Sequence, residues 1–533
     1  MTLLQPETVD ADGQQYHPHW LRPVPTEARY DRAAIVLVFV ALMIALRYAA
    51  AHQLGTLGQE TDLYGGNGIE FHAKRLLDGQ PFTYRFNPPG YPMLVAGMSR
   101  LTGGDLFLAG KLLTVLATAL YVGLTYLLGR ALAGARVGFA TALLSLVTIV
   151  PFSFLAAIDL VSAVSMLGAM WMLVRANRRW VAAAAMAGVV AGIAYLIRWH
   201  AIYLLIGTPI CLLFLDADGA TARRRRMAIA AFVAGWLLIA SPWLIWNWRT
   251  YGGPFASDTY MQVAAHFHAP DGDGSGFTRD QMGKRFHSLG EVLGHEPVRV
   301  AKQYLREMVL SNPPVLFQEL VRYPGYLFFG AGLLMFLLNH TRRRLAFALL
   351  CTLGYAILGL LGFYTRLHLF LVPALVLPVA LVLFHPVLAD AASRRRLPAA
   401  GVSWGLCLAI AVLTAYQTFG LAAEMIAAEP HHLARAAQWL RQRSSPGDRV
   451  ALAKPHVASW SGLGEFYSPA QTLDELVADA RRSGVRFVLY SPSEHAFPAF
   501  RPLGDTTRVH PDLALAYRDP SPLTLIYEVR VAR

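Results

Sequence analysis

RRRRMAIAAFVAGWLLIASPWLIW, residues 223–246, decides the fold class. Four arginines lead into an apolar run with no charge in it. A helix of roughly 20 such residues crosses a bilayer core of about 30 Å, and basic residues crowd its cytoplasmic end. The same pattern recurs through the chain. Further apolar runs lie near 33–50, 107–128, 137–154, 158–174, 180–197, 200–215, 325–339, 345–363, 367–389 and 399–420. Together they predict about 11 transmembrane helices. Alternate short connections hold Arg130 and Arg136; Arg175, Arg178 and Arg179; Arg342 to Arg344; and Arg394 to Arg396. Only Asp216, Asp218 and Asp390 oppose them there. All these connections fall on one side, which predicts a cytoplasmic N-terminus and an extracytoplasmic C-terminus.

Composition agrees. Of 533 residues, 55% are hydrophobic and 15% charged, whereas soluble domains carry about 25% charged residues. A net charge of +13 and a pI near 9.7 would suit a nucleic-acid binder, but the basic excess sits in the short connections, where it sets topology. No nucleic acid is expected as a partner. Cys211, Cys351 and Cys407 lie inside apolar runs, so neither a disulfide framework nor a zinc site is predicted. The reading is an α-helical polytopic membrane protein.

Residues 1–32 are polar and lack the order of a cleavable signal peptide, which predicts a cytoplasmic tail. Residues 33–420 form the transmembrane domain, with long outer loops at 51–106 and 247–324. The run PDGDGSG (270–276) resembles a calcium loop but lacks the later bidentate acid, so a flexible loop is predicted. Residues 421–533 change character. HHLARAAQWLRQR and TLDELVADARRSG have helical period, while VALA, RFVLY and LTLIYEVRV read as strands. A small α/β extracytoplasmic domain is predicted there, without a nucleotide-binding glycine loop.

Ionisable residues next to spans cost about 2.5–3.5 kcal/mol at a helix centre, which makes their clustering informative. Glu60, Asp62, Arg85, Lys111, Asp159, Arg198, His200, Arg366 and His368 come from five parts of the chain. All but Lys111, which sits just inside a span, fall near the outer surface. Each alone has a plain reading: Arg198 or Arg366 snorkelling, Asp159 capping a helix, Asp62 solvated in a loop. Together they suit a charged substrate.

Ordered segments then resemble the GT-C superfamily of membrane glycosyltransferases, nearest the protein mannosyltransferase and lipid A aminoarabinose transferase branch. They are ETDLY (60–64) with FHAKRLLDGQPF (71–82), NPPGYPMLVA (87–96), GIAYLIRWH (192–200), SPWLIWN (241–247) with YGGP (251–254), and the tail PGDRVALAKPHVASWSGL (446–463). The resemblance implies a GT-C-like fold and a polyprenyl-phosphate-linked sugar as donor. The acceptor would be a lipid, glycan or protein, and membrane lipids surround the site. It implies Asp62 as catalytic base with Glu60 second, Asp159 as the second acid, and inversion at the anomeric carbon. Arg198, His200 and Arg366 would bind the donor phosphate, with Arg85 and Lys111 as further cations; Asn87 stands where many relatives carry Lys. Chemistry supports these roles independently. A buried carboxylate can take the acceptor proton, and fixed guanidinium forks meet a departing phosphate. Pro88, Pro89, Gly90 and Tyr91 would stiffen the loop that presents the acid. No cofactor is expected and no divalent metal is indicated. The competing reading is a transporter or flippase for a lipid-linked or anionic substrate, which should show repeated halves and midplane charges; neither is evident.

Overall fold

The computed structural model describes residues 27–530, apart from 58–59, 61–62, 65–67, 176–179, 216–220, 270–275, 339–340, 363, 469 and 508–509. The N-terminal tail expected at 1–32 therefore falls mostly outside the described residues. Helix α1 (Glu27–Ala51) precedes a first long loop carrying α2 (Ile69–Leu77) and α3 (Gly90–Ser99). Then come α4 (Leu106–Ala133), α5 (Ala135–Ile149), α6 (Ile158–Arg175), α7 (Trp180–Ile197), α8 (Tyr203–Phe214) and α9 (Ala222–Tyr251). The second long loop is largely helical: α10 (Thr259–His268), α11 (Gly276–Arg285), α12 (Leu289–Gly294), α13 (Pro297–Arg306) and α14 (Asn312–Leu316). Helices α15 (Tyr326–Leu338), α16 (Arg342–Gly359), α17 (Val372–Leu383), α18 (Pro386–Arg394) and α19 (Ala399–Ala427) follow.

Every apolar run in the sequence is helical, yet among the described residues only 8 helices are long and apolar enough to cross a membrane. A ninth counts if Pro297–Val321 and α15, bent by 109°, form one span. The expected eleven is reduced for two reasons. The segment Trp199–Ile202 winds as a 3₁₀ turn, leaving α8 with 12 residues. The arginines 342–344 are wound into the first turn of α16, so its apolar stretch is only 345–359.

Within a membrane, apolar side chains gain little by leaving lipid for protein, so helices adhere where small residues let backbones approach. Helices α7 and α9 do this along their length. A Cβ at Gly188 would lie 2.1 Å from the Phe232 carbonyl oxygen, and one at Gly235 would lie 2.3 Å from that of Ala185. Backbone cannot rotate away. Gly188→Ala is therefore expected to destabilise the protein by about 1–3 kcal/mol, read as a lower unfolding temperature in detergent. Gly123→Ala, whose Cβ would meet only Val38 at 3.6 Å, should leave that temperature unchanged.

The C-terminal unit has α20 (His431–Arg443), β1 (Arg449–Ala451), α21 (His456–Ser461), β2 (Gly464–Phe466), α22 (Leu473–Arg482), β3 (Phe487–Tyr490), β4 (Leu513–Pro520) and β5 (Leu523–Val529). The sheet order is β2-β1-β3-β5-β4, parallel from β2 to β3 and antiparallel beyond. Alternation along β3 explains the layering. Phe487 and Leu489 join Leu433, Ala437 and Leu440 of α20 on one face. Val488 and Tyr490 join Leu476, Val477 and Ala480 of α22 on the other. A strand covered on both faces has no polar side, as FVLY shows.

This unit docks on the first long loop. The Tyr64 ring lies 4.9 Å from His456 and 5.5 Å from Trp460, and Ser459 Oγ donates to Glu70 at 3.3 Å. His456 is fully buried, and burial draws its imidazole down to about 3. Unfolded, it takes a proton below a pH of about 6.5; folded, it refuses one until far lower. Its stabilisation is complete above about pH 6.5 and is lost on acidification, by at most about 1.4 kcal/mol per pH unit. The unfolding temperature should fall between neutral and mildly acid pH, and less steeply in His456→Phe. Equal slopes in the two proteins would contradict the burial.

Candidate active site

The two long loops meet on the side where the C-terminal unit docks. Asn247, ending SPWLIWN, donates through Nδ2 to the carbonyls of Pro254 (3.0 Å) and Ala256 (2.8 Å). It thereby folds the YGGP turn back, and Gly252 at φ +78° permits the reversal. The turned segment then clasps the first loop. Ser257 Oγ donates to the Arg85 carbonyl at 2.9 Å, and Thr259 Oγ1 donates to that of Phe86 at 3.0 Å.

A cavity of about 530 Å³ opens under this clasp. Its walls are aromatic, with Tyr195, Trp199, Trp243, Tyr251 and Tyr260, and its polar groups include Arg85, Asn87 and Ser257. The Arg85 guanidinium lies 4.4 Å from the centre of the Tyr251 ring, with Nε 3.3 Å from Asp258. Burial raises the Asp258 carboxyl above its usual range, and Arg85 pulls it back. Pro88 also lines the cavity, and Pro89 leads into α3. Gly90 is pressed onto the end of α7, where a Cβ would lie 2.6 Å from the Leu196 carbonyl oxygen. Tyr91 is buried completely.

Helix α7 ends one residue beyond that contact. Arg198 is extended (φ −148°, ψ 123°), which breaks the helix before the turn Trp199–Ile202. Its Nη1 donates to the carboxylate of Asp159 in the first turn of α6, and both residues are buried. His200, also buried, lies within electrostatic reach of Arg198 and His368. Arg366 is second in the turn Thr365–Leu371, after Thr365, whose hydroxyl donates to Glu319.

Two further expected residues, Glu60 and Lys111, are held by hydrogen bonds around the end of α1. Glu60 accepts from His52 Nε2 (2.9 Å), from the Thr56 amide (2.8 Å) and from the Ala156 amide. The other His52 nitrogen meets Glu429, which also accepts from the amides of Gln53 and Leu54 at 3.0 Å. This clamp ties the end of α1, the first loop, the approach to Asp159 and the lead into α20. Lys111 donates to the carbonyls of Ala49 (3.0 Å) and His52 (2.7 Å), closing the last turn of α1. Of the expected site residues, Arg85 and Pro88 line the cavity, whereas Glu60, Lys111, Asp159, Arg198, His200 and Arg366 are not among its lining. Asp62 lies outside the described residues. Among the described residues, no group of three or more His, Cys, Asp or Glu could hold a metal ion.

Sequence reading missed His52, Glu429, Asp258 and Tyr251. A lone acid in AAEPHH after the last span was a signal for Glu429; its partner, 377 residues away, was not readable.

Residues 87–246 match the family described as dolichyl-phosphate-mannose-protein mannosyltransferase, a span from Asn87 to the residue before Asn247 that includes Asp159 and Arg198. The structure is similar to that of ArnT from Cupriavidus metallidurans in the apo state, with a TM-score of 0.58 and 14% identity over 94% of this chain and 97% of that one. ArnT bound to undecaprenyl phosphate gives 0.56 and 15%, over 95% and 98%. The archaeal oligosaccharyltransferase AglB from Archaeoglobus fulgidus, in complex with an inhibitory peptide and a dolichol-phosphate, gives 0.58 and 13%, over 87% and 70%. The fold is GT-C. No curated protein matches the sequence. With the GT-C fold in place, the chain is a multi-pass membrane protein whose long loops and C-terminal unit share one side.

Proposed function

We propose that the protein is a glycosyltransferase moving a sugar from a polyprenyl-phosphate donor to an acceptor hydroxyl, at the extracytoplasmic face of a bacterial inner membrane. The observation that carries this is the cavity: aromatic walls suited to a sugar's C–H faces, with the Arg85 guanidinium among them, and with Arg198, paired to Asp159, directly before the lining residue Trp199 in the chain. The arginine clusters lie at the helix ends away from the long loops, which supports the orientation.

The reaction is a single displacement. The acceptor oxygen attacks the anomeric carbon, the carbon–oxygen bond to phosphate breaks with its electron pair leaving on phosphate, and the hydroxyl proton passes to Asp62. Inversion follows. Arg85, Arg198 and Arg366, with His200, offset the charge growing on the leaving phosphate. Glu60 anchors the loop two residues from Asp62, since its oxygens already accept three hydrogen bonds. Asp159 holds Arg198 in place and remains the second acid. Lys111 supports the end of α1.

Donor binding tests this reading. Polyprenyl phosphate titrated into purified protein in detergent should quench tryptophan fluorescence, because Trp199 and Trp243 line the cavity. Arg85→Ala should weaken binding roughly tenfold or more, the worth of a charge-assisted contact. No saturable quench in the unaltered protein would contradict the proposal.

A further inference from the structure

The second long loop contains a helix that the proposed reaction does not use. Its helical path runs over Pro297–Val321 and then bends by 109° into the apolar helix α15. With the apolar α15 taken along the membrane normal, a stretch bent from it by 109° lies close to the membrane plane. Its polarity agrees: Arg299, Lys302, Gln303, Arg306 and Glu307 do not suit a hydrocarbon core.

The inward face of this stretch is occupied. Val300, Leu316 and Leu320 are buried. Tyr304 donates to the Ala356 carbonyl at 2.7 Å, and Glu307 takes His266 at 2.7 Å and Gln303 at 2.9 Å. The outward face is apolar and exposed: Val298 at 81%, Leu305 at 59%, Val309 and Leu310 at 66%. Beside that stripe, Arg299, Lys302 and Arg306 repeat at helical spacing. Arg299 pairs with Glu296 at 2.8 Å. Among the described residues, Lys302 and Arg306 have no carboxylate partner.

We propose that Pro297–Val321 is an interfacial helix seated on anionic phospholipid at the loop side of the membrane. Its basic row takes the headgroup phosphates, and Val298, Leu305, Val309 and Leu310 enter the acyl boundary. An exposed apolar stripe edged by cations, in the membrane plane, is the pattern of helices that lie on a bilayer. The surface complements a negative headgroup layer and does not depend on what the cavity binds.

Depth-dependent quenching tests the seating. The full-length chain, with its three buried cysteines replaced, would carry a bimane label through Val309→Cys in phosphatidylcholine–phosphatidylglycerol vesicles whose acyl chains are brominated. The label should be strongly quenched, and the same label through Tyr467→Cys on the C-terminal unit should not. Equal quenching at the two sites overturns the proposal. Charge is tested by the phosphatidylglycerol-to-phosphatidylcholine ratio retained after detergent washing. Each basic residue near the surface contributes about fivefold, so a Lys302→Ala/Arg306→Ala double variant should lose roughly 25-fold of the preference. An unchanged ratio overturns the phosphate contact. Should the double variant fail to fold, the Val309 label on the otherwise intact chain still decides the seating.

Discussion

Asp62→Asn should bind donor normally and turn it over about 10²–10⁴ times more slowly, the usual worth of general-base catalysis. An amide keeps the size and most hydrogen-bonding capacity of the carboxylate but cannot take the acceptor proton. Glu60→Gln is the informative contrast. Its carboxylate accepts from His52 and from two backbone amides, so an amide nitrogen there faces a donor and leaves it unpaired. A loss of about 1–3 kcal/mol of stability is expected, with a smaller effect on turnover. Stability lost in one variant and rate lost in the other would separate anchor from base. If Glu60→Gln abolished turnover at full stability while Asp62→Asn stayed active, the roles would be reversed.

Arg198→Ala should be the most damaging single change within the membrane domain. It strands the buried Asp159 carboxylate, and breaking a buried ion pair costs about 3–5 kcal/mol. Arg198→Lys keeps the charge but loses the planar fork, so partial activity is expected. The Asp159→Ala/Arg198→Ala double variant removes both charges together. It should regain most of the stability, because no ion is left unpaired, yet it should remain inactive, because the phosphate has lost its cation. Thermal unfolding and donor turnover, measured on all three variants, read the two effects separately. A double variant that recovered turnover would make the pair purely structural.

Much of this architecture was legible in the sequence because membranes impose simple rules. Length and hydrophobicity marked the long apolar helices, including RRRRMAIAAFVAGWLLIASPWLIW at the core of α9, but not the short helices of the two long loops. Those rules do not report which side chains meet across the helices. The break at Arg198 falls between the runs 180–197 and 200–215, but nothing local showed that its side chain would swing back onto Asp159, 39 positions earlier. Strands β2 and β4 were missed for a related reason. GEF is too short to show alternation, and a register shift near Leu515 and Tyr517 breaks it in LALAYRDP. The clamp of His52, Glu60 and Glu429 depends on the C-terminal unit folding over the first loop, a long-range event with no local signature. Lys111 shows the opposite case. Sequence offered this cation beside a span as a phosphate ligand and gave no sign of the two carbonyls at the end of α1 to which it donates.

The most direct measurement is release of free lipid phosphate by the purified protein, supplied with a panel of polyprenyl-phosphate sugars and with membrane extract as acceptor source. At least one donor should be consumed, its lipid phosphate appearing in step with glycosylated acceptor, and the release should vanish in Asp62→Asn. If no donor yields lipid phosphate, or if donor crosses vesicle membranes intact while its sugar stays attached, the protein is not a transferase of this kind.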